Sequence, residues 1–289
     1  MGAATALAGI GDAAFWAALL AKMLTSAAIV VVASLAVERA GPLVGAMIAT
    51  LPVSAGPAYV FLALDHDAGF LRDSAVASLP AIAATALFIA AYAAMARRRG
   101  VAASLAAALA VWIAAALGLA RIGGGSGGGS GGGLGGAVAL AILVVLACIL
   151  ACRSLRVEGP LPARPRRAGD VLVRAGIVMT LVVAVILAGR LAGPGAAGLL
   201  AFAPVVMVSL AVILHPRIGG AATATVLVLS LPGLLGFVAA LVALALTVER
   251  LGPAPALSLA LLINVGWNGG ILLFSRARAR HPAPSLETE

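Results

Sequence analysis

Residues 73–95 read DSAVASLPAIAATALFIAAYAAM, a run of 23 positions whose single charge is Asp73 at its start. At 1.5 Å per residue a helix of that length is roughly 35 Å long, enough to cross a hydrocarbon core of about 30 Å. Lipid offers no water to the backbone, so a segment this apolar must satisfy its own N–H and C=O groups, which a helix does. Residues 225–247, TVLVLSLPGLLGFVAALVALALT, place the same Ser-Leu-Pro triplet at the same position 152 residues later. Together the two stretches predict a helical, membrane-spanning and internally repeated chain.

Composition carries the same message outward. Of 289 residues, 63% are hydrophobic and 10% charged, against roughly 25% charged in an ordinary soluble domain. That balance excludes a disordered chain, a disulfide scaffold and a soluble nucleotide-binding enzyme. The first 22 residues lack a basic start and an A-x-A cleavage site behind the apolar stretch, so no cleaved signal is expected. Nine apolar spans are predicted, at 15–37, 41–64, 73–95, 101–120, 134–152, 175–191, 194–214, 221–246 and 255–274. The stretch 123–133 is only Gly and Ser, the composition of a flexible linker, either native low complexity or an engineered insertion.

The charges sort by loop. Fourteen Lys and Arg fall in one alternating set, including Arg97, Arg98 and Arg99 and six between Arg153 and Arg174, and five fall in the other, namely Lys22, Arg72, Arg121, Arg190 and Arg250. By the positive-inside rule the richer set is cytoplasmic, which puts the N-terminus outside and the C-terminus in the cytoplasm. The excess of base does not suggest nucleic acid, because no basic helix carries interleaved aromatics. Cys148 and Cys152 are four apart in one span and read as small packing residues.

A shift of 152 residues, with no gap, superposes Ala40-Gly41-Pro42 on Ala192-Gly193-Pro194, Pro52-Val53 on Pro204-Val205, Ser78-Leu79-Pro80 on Ser230-Leu231-Pro232, and Arg98 and Gly100 on Arg250 and Gly252. The first span then corresponds to the sixth, and an odd shift reverses direction through the bilayer. The expected fold is therefore an all-α polytopic membrane protein of two inverted four-helix repeats joined by a connecting helix. Its units are repeat 1 at 1–122, linker and connecting span at 123–152, and repeat 2 with a cytoplasmic tail at 153–289. Inverted repeats are the architecture of many secondary transporters. If the fifth segment lay at the interface, the repeat would instead be parallel.

Each half, the first more clearly, resembles the GlpM-type small bacterial inner-membrane proteins: a Gly-rich entry into the second span at Gly41, then a central proline and small polar residues, continuing through Pro80. The resemblance covers residues 25–120 and 177–270, and implies a tandem, inverted duplication of that unit in the bacterial inner membrane. It implies no catalytic residues and no cofactor.

Proline removes a backbone donor and frees carbonyls in the turn before it. Pro52 and Pro57 interrupt the second span and Pro204 the seventh, and broken helices often line binding sites in inverted-repeat transporters. A plain kink that aids packing is the competing account. Thr50, Ser54 and Tyr59 surround the first break with hydroxyls; only Ser209 is near the second. Ser78 and Ser230 are expected to re-satisfy freed backbone groups. Asn264 and Asn268 are four apart on the ninth span beside Trp267, and should face into the bundle as either solute contacts or helix glue. Trp16 and Trp112 are expected to anchor or pack. Asp65, His66 and Asp67 are competent metal ligands but read as a solvated loop.

No Ser-His-Asp, paired-carboxylate or P-loop pattern is present, so neither an enzyme nor an ATP-driven pump is expected. The candidate binding residues are Thr50, Pro52, Ser54, Tyr59, Pro204, Asn264 and Asn268. The expected function is a secondary transporter or facilitator of a small solute, with the lipid bilayer and that solute as partners and no cofactor. A homo-oligomer is left open, a non-transporting scaffold or regulator of envelope processes is the alternative, and an intramembrane enzyme acting on lipid is third.

Overall fold

The computed structural model describes residues 13, 16–28, 32, 55–122, 133–156 and 168–280. Ten α-helices follow in order: α1 (Trp16–Ala28), α2 (Ala55–Asp65), α3 (Ala68–Ala96), α4 (Val101–Ile122), α5 (Gly133–Ala151), α6 (Ala168–Ala201), α7 (Val205–Ile218), α8 (Gly220–Leu229), α9 (Leu231–Leu251) and α10 (Pro253–Arg280). Among the described residues every regular element is helical, with one 3₁₀ turn at Arg153–Leu155.

Six helical stretches are long and apolar enough to cross a membrane, by length and composition: Ala68–Ala96, Val101–Arg121, Gly133–Ala151, Ala175–Ala201, Gly220–Leu251 and Pro253–Ser275. They make the chain a polytopic helical membrane protein. α1, α2 and α7 are shorter apolar helices. Of the expected span 15–37 residues 16–28 and 32 are described, and of 41–64 residues 55–64; nearly all of the Gly/Ser stretch lies outside the described residues.

α3 is the axis of the bundle. In its most apolar 18-residue window 72% of residues are buried, against 22% in α4 and α5 and 17% in α10, so the other three line the lipid side. α4, α5, α6, α8 and α9 all pack on α3. Small residues permit this: Ala75, Ala81, Ala83, Ala84, Ala86 and Ala93 are fully buried, and without large side chains neighbouring backbones come close. Leu143, Leu150, Leu262, Leu273 and Phe274 are exposed, as lipid-facing residues should be.

The second half meets α3 at both ends. A side chain at Gly198 would collide with the Ser74 carbonyl, and one at Gly220 with the Ala96 carbonyl, so glycine is required at both. Arg72, near the start of α3, lies 4.0 Å from Glu249 near the end of α9, while Gly220 at the start of α8 touches the end of α3. The stretch 220–251 is therefore antiparallel to α3. The same contacts gather Lys22, Asp65, Arg72, Glu249 and Arg250 at one end of the bundle, and Arg97, Arg98, Arg99, His215 and Arg217 at the other.

Prolines act differently in the two related stretches. α3 runs through Pro80 without interruption, whereas the chain turns at Ser230 before Pro232, closing i→i−3 bonds from Ser230 N to Leu227 O and from Gly233 N to Ser230 O. α6 contains a sharper turn at Gly193 (φ 78°, ψ −169°), a conformation glycine adopts without a Cβ penalty. Residues 194–201 then form a separate arm leading into α7.

Candidate functional site

The arm at 194–201 and α7 follow one another across a break at residues 202–204. Pro204 has no N–H to offer the Leu200 carbonyl, and the Ala203 N–H takes it instead at 2.9 Å. Val205 N then turns back to Ala203 O at 2.7 Å, and regular bonding resumes with Val208 N to Pro204 O at 2.8 Å. Pro194 begins the arm near one end of the bundle, so ten residues place the break about 15 Å from that end.

Hydroxyls of α3 meet the arm, the break and α7. Ser78 Oγ donates to Gly198 O at 2.7 Å and lies 3.0 Å from Ser74 O. Tyr59 OH is 2.7 Å from Ser78 Oγ. Ser78 has one proton, so when it donates to a carbonyl the tyrosine must donate to it, giving a chain from Tyr59 through Ser78 to Gly198. One level along, Trp112 Nε1, a donor only, reaches Thr85 Oγ1 at 3.2 Å, and Thr85 shares its proton between Ala81 O at 2.9 Å and Phe202 O at 3.2 Å. Further on, Tyr92 OH and His215 Nδ1 are 2.7 Å apart, with the rings edge to face.

Ser78, Thr85 and Tyr92 are each seven residues apart, two helical turns, and so share one face of α3. That face is a polar seam: each hydroxyl engages a different part of the stretch from Gly198 to His215. The Phe202 ring at the break packs edge-on against Phe237 at 5.2 Å and against Tyr59 at 6.4 Å.

Of the candidate binding residues, Thr50, Pro52 and Ser54 lie outside the described residues. The structure brings Tyr59 to the Pro204 break, through Phe202 and Ser78, but buries it to 3% exposure with its hydroxyl engaged. Asn264 and Asn268 sit on α10, which packs on α9 and α2. Asn268 Nδ2 donates to Asn264 O at 2.9 Å and to Asn264 Oδ1 at 3.3 Å. Trp267 of the same helix ties α10 to α9, its Nε1 donating to Pro232 O at 3.0 Å and its ring lying against Gly236. Ser209 bonds within its own helix, to Val206 O at 2.8 Å.

Ser78 and Ser230 part company. Ser78 crosses between helices, whereas Ser230 caps its own turn at Leu227 O, 2.6 Å away. Sequence reasoning missed Thr85, Tyr92 and His215. The seven-residue spacing of hydroxyls inside one apolar span was the available signal.

At the Asp65 end, every member of the possible cation loop has a protein partner. Lys22 Nζ meets both carboxylate oxygens of Asp65 at 2.6 and 2.7 Å and sits 5.8 Å over the Phe61 ring. Asp67 caps α3 by accepting from Phe70 N at 2.8 Å, and His66 stacks on the Phe70 ring. Burial holds His66 below its usual basicity; Asp65 and Asp67 oppose the shift, Arg190 and Lys22 add to it. Among the described residues no group of three or more His, Cys, Asp or Glu is placed to hold a metal ion.

No family model, curated protein or solved structure matches this chain.

Proposed function

We propose that the protein is a secondary transporter or facilitator of a small solute, built as two inverted four-span repeats in a bacterial inner membrane, with the N-terminus outside and the C-terminus cytoplasmic. The observation that carries this reading is the broken segment, whose Gly198 and Phe202 carbonyls accept hydrogen bonds from the side-chain hydroxyls of Ser78 and Thr85, the second of them at the break itself. Side-chain bonds of this kind can be exchanged for bonds to a solute without unravelling a helix. The antiparallel run of 220–251 against α3 supports the inverted repeat, since those stretches are related by the 152-residue shift. Thr50, Pro52, Ser54, Tyr59, Pro204, Asn264 and Asn268 are the proposed contacts.

One observation favours a non-transporting scaffold instead: Gly198 lies flush against the Ser74 backbone. A solid seam needs no solute. The two readings separate in proteoliposomes loaded with amino acids, sugars, organic anions and amines. A transporter carries at least one of these faster than protein-free vesicles do, and Ser54→Ala lowers that flux with little change in folding. Vesicles as tight as empty ones across the panel favour the scaffold.

A further inference from the structure

Among the described residues three buried side-chain polar atoms lack a hydrogen-bond partner: Ser74 Oγ, Arg156 Nε and Asn264 Nδ2. Asn264 stands out by depth. It lies eleven residues from Pro253 and twelve before Arg276, about 16 to 18 Å from either end of the apolar stretch Pro253–Ser275. It is 1% exposed, whereas Leu261, Leu262 and Val265 beside it are 49%, 68% and 44% exposed. The asparagine therefore turns away from lipid, towards the helices that α10 packs on, α9 and α2.

Its amide orientation follows from the bonds around it. Asn268 must present its NH₂ group to the Asn264 backbone carbonyl, since an oxygen there would face an oxygen. That NH₂ group also lies 3.3 Å from the Asn264 side chain, which must answer with Oδ1. The Asn264 NH₂ group is left pointing elsewhere with both donors unmade. A buried donor without an acceptor is unfavourable, and an amide held in that state at mid-span is a feature a ligand acceptor would resolve.

We infer that Asn264 Nδ2 is the recognition donor for an uncharged solute bearing a carbonyl or hydroxyl oxygen, bound between α10, α9 and α2. Charge argues against an anion. The Lys and Arg residues of the described helices lie towards the ends of the bundle, Lys22 and Arg190 beside Asp65 and His66, and a carboxylate taken to the middle would be buried without a counter-ion, which is costly. A neutral oxygen avoids that penalty. Asn268, hydrogen-bonded to Asn264, positions the donor. This inference rests on the transport reading and names its substrate class.

The test is light-scattering flux in proteoliposomes with glycerol, acetamide and acetate, the last two matching in size but not in charge. The wild-type protein should pass glycerol and acetamide faster than protein-free vesicles, and acetate no faster. Asn264→Leu should cut the acetamide and glycerol rates at least tenfold while its melting temperature in detergent stays level or rises, since an unmet donor has been removed. Asn264→Ala serves the same purpose if the leucine variant does not fold, and Ser258→Ala, a hydroxyl bonded only to its own helix, should leave flux unchanged. Either asparagine variant with unchanged flux per folded molecule overturns the inference, and so does a wild type that carries acetate or another charged solute but neither neutral probe. Those two results leave the transport reading standing. Wild-type vesicles as tight as empty ones to every solute overturn both.

Discussion

Ser78 donates its hydroxyl to the Gly198 carbonyl at 2.7 Å, joining two buried residues 120 positions apart in the chain. The bond ties the central helix to the arm that leads into the break, and Tyr59 extends it to a third helix. Ser78→Ala leaves the Gly198 carbonyl and the Tyr59 hydroxyl short of a partner. The expected loss is about 1 kcal/mol, within the range of interhelical bonds in membranes, read as a lower melting temperature in detergent. Tyr59→Phe should cost less, and the double variant less than the sum, because both changes break one chain. Additive losses would show that the two bonds act separately.

Backbone contact at Gly198 should be more sensitive than the hydroxyl. Gly198→Ala drives a methyl group into the Ser74 carbonyl, which belongs to a helix and cannot swing aside. Overpacking of this kind costs about 1–3 kcal/mol. Gly118→Ala is the matched control: it lies within α4, a Cβ there meets nothing within 4 Å, and its φ is not left-handed. That change should stabilise by about 0.5–1 kcal/mol through helix propensity. Thermal melts of the two variants should move in opposite directions.

How far the sequence foretold this arrangement depends on whether the determinant was local. The break at Pro204 was legible because proline lacks the N–H its own helix needs, and the turn at Gly193 because Ala-Gly-Pro ends one apolar run and starts another. Asn264 and Asn268 were legible as one face from their spacing. Ser230 and Pro80 were not, since identical triplets turn the chain in one place and continue it in the other. The partners of Ser78, Thr85 and Tyr92 were hidden for a different reason: Gly198, Phe202 and His215 are 117 to 123 residues away, and only packing around α3 brings them within reach. Tyr59 read as a solute contact, and its burial was not legible because a hydroxyl near a proline says nothing about which helix will cover it.

Topology follows from the charge sets and the repeat. Arg98 and Arg250 are equivalents under the 152-residue shift, and both are exposed. In a background lacking Cys148 and Cys152, Arg98→Cys should label with a membrane-impermeant maleimide only after the cytoplasmic side is opened, and Arg250→Cys in intact cells. Labelling of both from the same side would rule out the inverted repeat.

Acidification should loosen the Asp65 end. His66 binds its proton less readily folded than unfolded, where its pKa is near 6.5. The unfolded chain therefore takes up more protons on acidification. Its contribution to stability is full above the unfolded value and falls away as pH drops through the folded one. The melting temperature should decline below neutrality, and His66→Gln should flatten that decline. An unchanged slope would place the pH dependence elsewhere.

Pro204→Ala tests whether the break matters as a moving part or as a static kink. Alanine restores the N–H that can reach Leu200 O and removes the ring that disfavours helix at Ala203. The arm 194–201 and α7 should then approach one continuous helix, and amide exchange at residues 202–206 should slow. Healing the helix has a consequence at α3: Phe202 O would turn inward to its own helix, and Thr85 would keep only the Ala81 carbonyl it already reaches at 2.9 Å. Stability should rise, because helix propensity is gained and no described buried donor is orphaned. If transport depends on exchanging the side-chain bonds at the break, flux should fall several-fold in the same variant. A stabler protein with undiminished flux would mean that Pro204 only shapes the packing, and would shift the search for the solute site to α10.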